Sequence, residues 1–135
     1  MMKRLSFITA AILLAPMASM AALANITYPA IHFESDSTQV LAQELDHLDE
    51  DVAWLKSHPQ AVVILEGHCD KTGKSEYNME LGDRRAREIK SYMITKGILP
   101  ERVIMVVSFG ENRPVDSGVS RNSLQKNRRV EFILR

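Results

Sequence analysis

The stretch ILEGHCDKTGKSEYNMELGDRRAR, residues 64–87, decides how this chain is read. It begins in an apolar strand, passes through the turn Lys71-Thr72-Gly73 and enters a helix at about Ser75. Asp70 falls at the carboxyl end of the strand, where α/β sheets often place ligand-binding loops. Arg85 falls on the helix at the border between its apolar stripe and solvent, so its stem can pack while the guanidinium reaches outward. Arg suits a carboxylate, because its planar fork makes two parallel hydrogen bonds. Asp suits an ammonium. Two readings follow: a salt bridge between Asp70 and Arg85 that ties turn to helix, or a clamp for a small group carrying both an amine and a carboxylate.

Outward from this stretch, short periodic segments alternate. Ile26–Phe33 is a first strand, with Ile31 and Phe33 alternating about His32. Asp36 or Ser37 is the expected N-cap of a helix running to about Ser57, whose stripe is Leu41, Leu45, Leu48, Val52 and Leu55. His58-Pro59 ends it, because a residue before proline avoids the helical region. The unbroken run Ala61–Leu65 predicts a strand buried on both faces. The second helix runs to about Lys96 on an inner stripe of Gly82, Ala86, Ile89 and Met93, with two small residues for close approach to a sheet. Gly97 stops it. Arg102–Phe109 is a third strand, 110–120 a loop, Ser120–Lys126 a short helical piece, and Arg129–Arg135 an alternating last strand. The order β-α-β-α-β-(short α)-β predicts an α/β (α+β sandwich) fold, with one mixed sheet and helices packed on one face.

The ends and the composition bound the function. Met1–Arg4 is cationic, Leu5–Met20 mostly apolar, and Ala22-Leu23-Ala24 fits small-residue cleavage before Asn25. Residues 1–24 therefore read as a secretory signal peptide and 25–135 as one domain. Pro16 interrupts an apolar run already short for a membrane span. The chain has one Cys, at 69, so it has no lipid-bearing Cys after the cleavage point and no internal disulfide. The whole chain balances 17 basic against 17 acidic residues, and loss of Lys3 and Arg4 leaves the remainder slightly acidic. Nothing in that charge suggests nucleic acid. His68-Cys69-Asp70 is a poor metal set, since neighbours on an extended segment point to opposite faces. No G-x-S-x-G turn suggests a serine hydrolase, so no enzyme and no cofactor is expected.

The ordered fragments Ile31-His32-Phe33-Glu34, Glu66-Gly67-His68-Cys69-Asp70, Tyr77-Asn78, Leu81–Ala86, Gly97-Ile98, Phe109-Gly110-Glu111, Pro114 and Asn127–Glu131 resemble the OmpA-like peptidoglycan-binding domain. That family includes the C-terminal domain of outer membrane protein A, the peptidoglycan-associated lipoprotein and MotB. The resemblance implies non-covalent binding of the cell-wall stem peptide, with its diaminopimelate held by Asp70 and Arg85. It also implies that groove residues come from Phe33, Glu34, Asp36, Thr72, Asn78, Leu81 and Arg128, while Asn127 fixes a loop. Cys69 stands where the family usually has Ala or Thr, and a buried or half-buried thiol rather than a reactive one is expected. Ser35 replaces a residue that is apolar or aromatic in many members. The location implied is the periplasm, associated with outer membrane or wall, without a membrane anchor in the mature chain. The competing expectation is an adaptor that docks envelope or secretion proteins with the same fold.

Overall fold

The computed structural model describes residues 28–135. The expected signal peptide and the first residues of the expected first strand lie outside them. Among the described residues, four strands form one mixed sheet in the order β1-β4-β2-β3: β1 (Ile31–His32), β2 (Val63–His68), β3 (Val103–Gly110) and β4 (Arg129–Leu134). The helices are α1 (Leu45–Ser57), α2 (Ser75–Thr95) and α3 (Arg121–Asn127). β2 and β3 are parallel with α2 as their crossover, whereas β4 runs antiparallel to both β1 and β2. A parallel pair needs such a crossover, while β4 enters from α3 and lies in the reverse sense.

One face of the sheet is covered. Val63 and Leu65 of β2, Val130 and Phe132 of β4, and Ile31 and Phe33 meet Leu48, Val52 and Leu55 of α1 and Ala86, Ile89 and Met93 of α2 in a single core. The close approach of α2 rests on two glycines. A Cβ on Gly67 would lie 1.8 Å from the Gly82 carbonyl oxygen, and one on Gly82 would lie 2.2 Å from Ser108 Oγ.

Two expectations need correction. β2 is not buried on both faces: Ile64 and Glu66 are half-buried while Val63 and Leu65 are fully covered, because the helices among the described residues pack on one side. Asp36 and Ser37 do not cap a helix. The chain turns back after Phe33, which bridges Val40, and Leu41 N–H donates to the His32 carbonyl at 3.0 Å. Asp36 lies in the left-handed region at φ 50°. Helical structure begins at Ala42 with a short 3₁₀ turn that leads into α1. Consequently Leu45 is exposed, and the working stripe is Leu48, Val52 and Leu55, joined by a buried Asp51.

Candidate functional site

The turn after β1, the loop after β2 and the first turns of α2 surround a cleft of about 440 Å³. Ser35, Asp36, Cys69, Asp70, Thr72, Gly73, Tyr77, Asn78, Leu81 and Arg85 line it. The loop is held from the helix. Asn78 Nδ2 donates to the carbonyls of Thr72 at 2.9 Å and Asp70 at 3.3 Å, and Cys69 Sγ donates to the Asn78 carbonyl at 3.1 Å. Gly73, at φ 85°, makes the turn that a side chain would strain.

Arg85 departs most from expectation. Its guanidinium does not reach out: the residue is 0 % exposed. Nε donates to the Ser37 carbonyl at 2.8 Å, Nη1 to His68 at 3.0 Å and Nη2 to Glu34 at 3.0 Å. These three carbonyls belong to the turned-back segment and the end of β2, so the segment that fails to become helix is the one Arg85 engages. The Phe33 ring lies 5.3 Å from the guanidinium carbon. Burial lowers the Arg85 pKa from its ordinary value. All its protein acceptors are uncharged carbonyls, so the cation sits at the floor of the cleft without a carboxylate bonded to it among the described residues.

Asp70 does not bridge to Arg85, one of the two readings of the sequence; it pairs with Arg128. Arg128 Nη1 donates to Asp70 Oδ2 at 3.0 Å, while Thr72 gives Oδ1 its backbone N–H at 2.9 Å and its hydroxyl. Burial pushes the Asp70 pKa up, but the Thr72 bonds and Arg128 outweigh it, leaving the carboxyl below its ordinary value. Asp70 is therefore a buried, ionised and already neutralised group. Arg128 also donates to the Phe33 carbonyl at 3.3 Å and to Gln125 Oε1 at 2.6 Å. Its position follows from the step from α3 into β4, where it is the first residue beyond the helix.

Of the expected groove residues, Asp36, Asp70, Thr72, Asn78, Leu81 and Arg85 line the cleft. Phe33 does not; it is fully buried in the core and contributes its carbonyl to Arg128 and Gln125. Glu34 supplies its carbonyl to Arg85, and with Arg128 it borders a neighbouring groove lined also by Ser35, Val119, Arg121 and Leu124. Asn127 fixes the loop, accepting the amides of Val115 and Asp116 and donating to the Asp116 carbonyl at 2.7 Å. The Cys69 thiol is buried, and burial raises its pKa. Sequence reasoning did not place Tyr77 in the site. It stands four residues before Leu81, hence on the same helix face, and its hydroxyl donates to Asp36. That spacing was the available signal.

A profile described as the OmpA family matches residues 32–128. The chain belongs to the OmpA family. It is 42 % identical over 112 residues to the peptidoglycan-associated lipoprotein of Pseudomonas aeruginosa, covering 83 % of this chain and 64 % of that protein. It is 38 % identical over 101 residues to the protein of the same name from Legionella pneumophila, covering 75 % of this chain and 57 % of the relative. The chain thus spans less than two thirds of the length of these curated relatives. Among solved structures, the peptidoglycan-associated lipoprotein of Burkholderia pseudomallei superposes with a TM-score of 0.73 at 33 % identity, covering 78 % of this chain and 89 % of that one. The C-terminal domain of Helicobacter pylori MotB superposes at 0.71 with 20 % identity, over 79 % and 84 % of the two chains, a likeness of fold.

Proposed function

We propose that this OmpA-family chain binds peptidoglycan non-covalently in the periplasm, after removal of residues 1–24, and that the stem-peptide diaminopimelate occupies the cleft. The names of its lipoprotein relatives support the wall as ligand. The observation that carries the reading is the Arg85 guanidinium, fully buried at the cleft floor and bonded, among the described residues, only to neutral carbonyls. A desolvated cation with N–H bonds to spare favours an anion strongly, because low local dielectric strengthens the pairing. Arg85 takes the ligand carboxylate. Asp70, kept ionised, faces the ligand ammonium, although Arg128 offsets its charge. The protein binds without catalysing a reaction, and Asn78 and Thr72 act by holding the loop that shapes the cleft.

Co-sedimentation with purified peptidoglycan tests this. Wild type should pellet with diaminopimelate-type wall and be displaced by free diaminopimelate. It should pellet poorly with lysine-type wall, which lacks the carboxylate assigned to Arg85. Arg85→Lys and Asp70→Asn, checked for folding by circular dichroism, should each weaken binding by more than about 1.5 kcal/mol, roughly tenfold. Wild type left in the supernatant with every wall type would sink the reading and turn attention to envelope protein partners.

A further inference from the structure

The sheet face turned away from the helices carries a second polar cluster. Glu66 and His68 are two residues apart on β2, so they leave the strand on the same side. Gly67 between them points the other way, against Gly82. On β4, Glu131 stands directly opposite Glu66 in the antiparallel ladder. One ligand atom from each of Glu66, His68 and Glu131 lies within 4.8 Å of the others. His68 Nε2 is 3.9 Å from Glu66 Oε2.

His68 is the anomaly in this cluster. Its side chain is 2 % exposed, and neither ring nitrogen has a hydrogen-bond partner among the described residues. Buried polar atoms ordinarily have partners, and a neutral imidazole offers one donor and one acceptor. The Phe109 ring stacks on it with centroids 5.5 Å apart. Burial, then the Arg129 charge, lowers its pKa from the ordinary imidazole value. Glu66 shows the complementary effect. Burial, then the Glu131 charge, raises the Glu66 pKa. Arg129 Nε binds one oxygen of Glu131 at 2.7 Å, and the other is without a hydrogen bond from it.

We propose that Glu66, His68 and Glu131 form a binding site for a divalent transition-metal ion of the Zn²⁺ class. One imidazole with two carboxylates suits Zn²⁺ better than Ca²⁺ or Mg²⁺, which take oxygen ligands, and the absence of sulfur argues against Cu(I). The ion supplies the partner that the buried ring lacks and separates two crowded carboxylates. Arg129 then acts as an outer partner that orients Glu131. The site lies on the opposite sheet face from the core. It is nevertheless linked to the cleft through His68, whose carbonyl accepts Arg85 Nη1. The proposal does not depend on what the cleft binds.

The experiment is titration of the metal-free protein with Zn²⁺ by calorimetry, and with Co²⁺ as a visible reporter. Glu66→Gln, Glu131→Gln and His68→Gln remove proposed ligands. His47→Gln is the control, because His47 and Glu50 form an exposed pair elsewhere at 3.7 Å. One ion per chain is expected in wild type and in His47→Gln, with at least roughly tenfold weaker binding in Glu66→Gln and Glu131→Gln. The Co²⁺ spectrum should lack a thiolate band and be unchanged in Cys69→Ser. Thermal midpoints should rise with Zn²⁺ in wild type and in His47→Gln, and less in Glu66→Gln and Glu131→Gln. The two Glu→Gln variants change half-buried positions without changing shape, so the test stands even if His68→Gln does not fold. Absence of stoichiometric binding, retention of full affinity in both Glu→Gln variants, or loss of binding in His47→Gln overturns the proposal.

Discussion

Asp51 is a carboxylate set in the apolar stripe of α1, 6 % exposed, with Oδ2 lacking a hydrogen-bond partner among the described residues. Burial pushes its pKa up to about 7, against a smaller downward pull from His47 and with a further upward push from Glu50. In the unfolded chain the same group titrates near 3.9. Between about pH 4 and 7 the folded state therefore keeps a proton that the unfolded state has lost. Stability from this group is fully present below the unfolded pKa and falls as pH rises through the folded one. The loss amounts to about 2–4 kcal/mol after allowing for local solvent. Asp51→Asn should raise the urea midpoint at pH 7.5 and leave it nearly unchanged at pH 4.5. Equal midpoints for variant and wild type at pH 7.5 would show that Asp51 is ionised at little cost.

At the scale of elements, the seam between β2 and α2 is set by backbone against backbone. Any side chain at Gly67 meets the Gly82 carbonyl, which cannot turn aside, whereas one at Gly82 first meets the Ser108 hydroxyl, which can. Gly67→Ala should cost more than about 3 kcal/mol, the upper end for overpacking, because α2 must lift off the sheet. Gly82→Ala should cost less, since alanine gains about 1 kcal/mol of helix propensity. Adding Ser108→Gly should recover part of that loss, a coupling that a double-mutant cycle in urea measures directly. Lifting α2 would also move Arg85 and Asn78. Gly67→Ala should thus weaken ligand binding even at temperatures where it remains folded.

At the scale of the whole molecule, β3 is an edge strand with an apolar sequence, and Ile104 and Met105 are more than half exposed. The strand itself, Val103–Gly110, contains no charge or proline, the usual device against edge-to-edge association. Met105→Lys should reduce light scattering during heating while shifting stability by no more than about 0.5 kcal/mol. Unchanged scattering would mean that association starts elsewhere.

Periodicity made α2 and β4 legible, because each buries one face and a buried face imposes its spacing on the sequence, whereas β3 was legible only as an unbroken apolar run. The start of α1 was not legible. Glu34–Leu41 carries capping residues suited to a helix, yet Phe33 and Val40 pair, and Arg85 draws in the carbonyls of Glu34 and Ser37 from far along the chain. Asp36, Asp70, Thr72, Asn78, Leu81 and Arg85 around the cleft were expected from the family resemblance, whereas Tyr77 was not and Phe33 lies in the core instead. The pairing of the charges could not be read, since Arg85 turns inward to carbonyls and Asp70 is joined to Arg128. Local patterns record which face of an element is buried. Which charge meets which partner depends on backbone groups brought together only when β1, β2, α2 and β4 meet, and tertiary contact decided it.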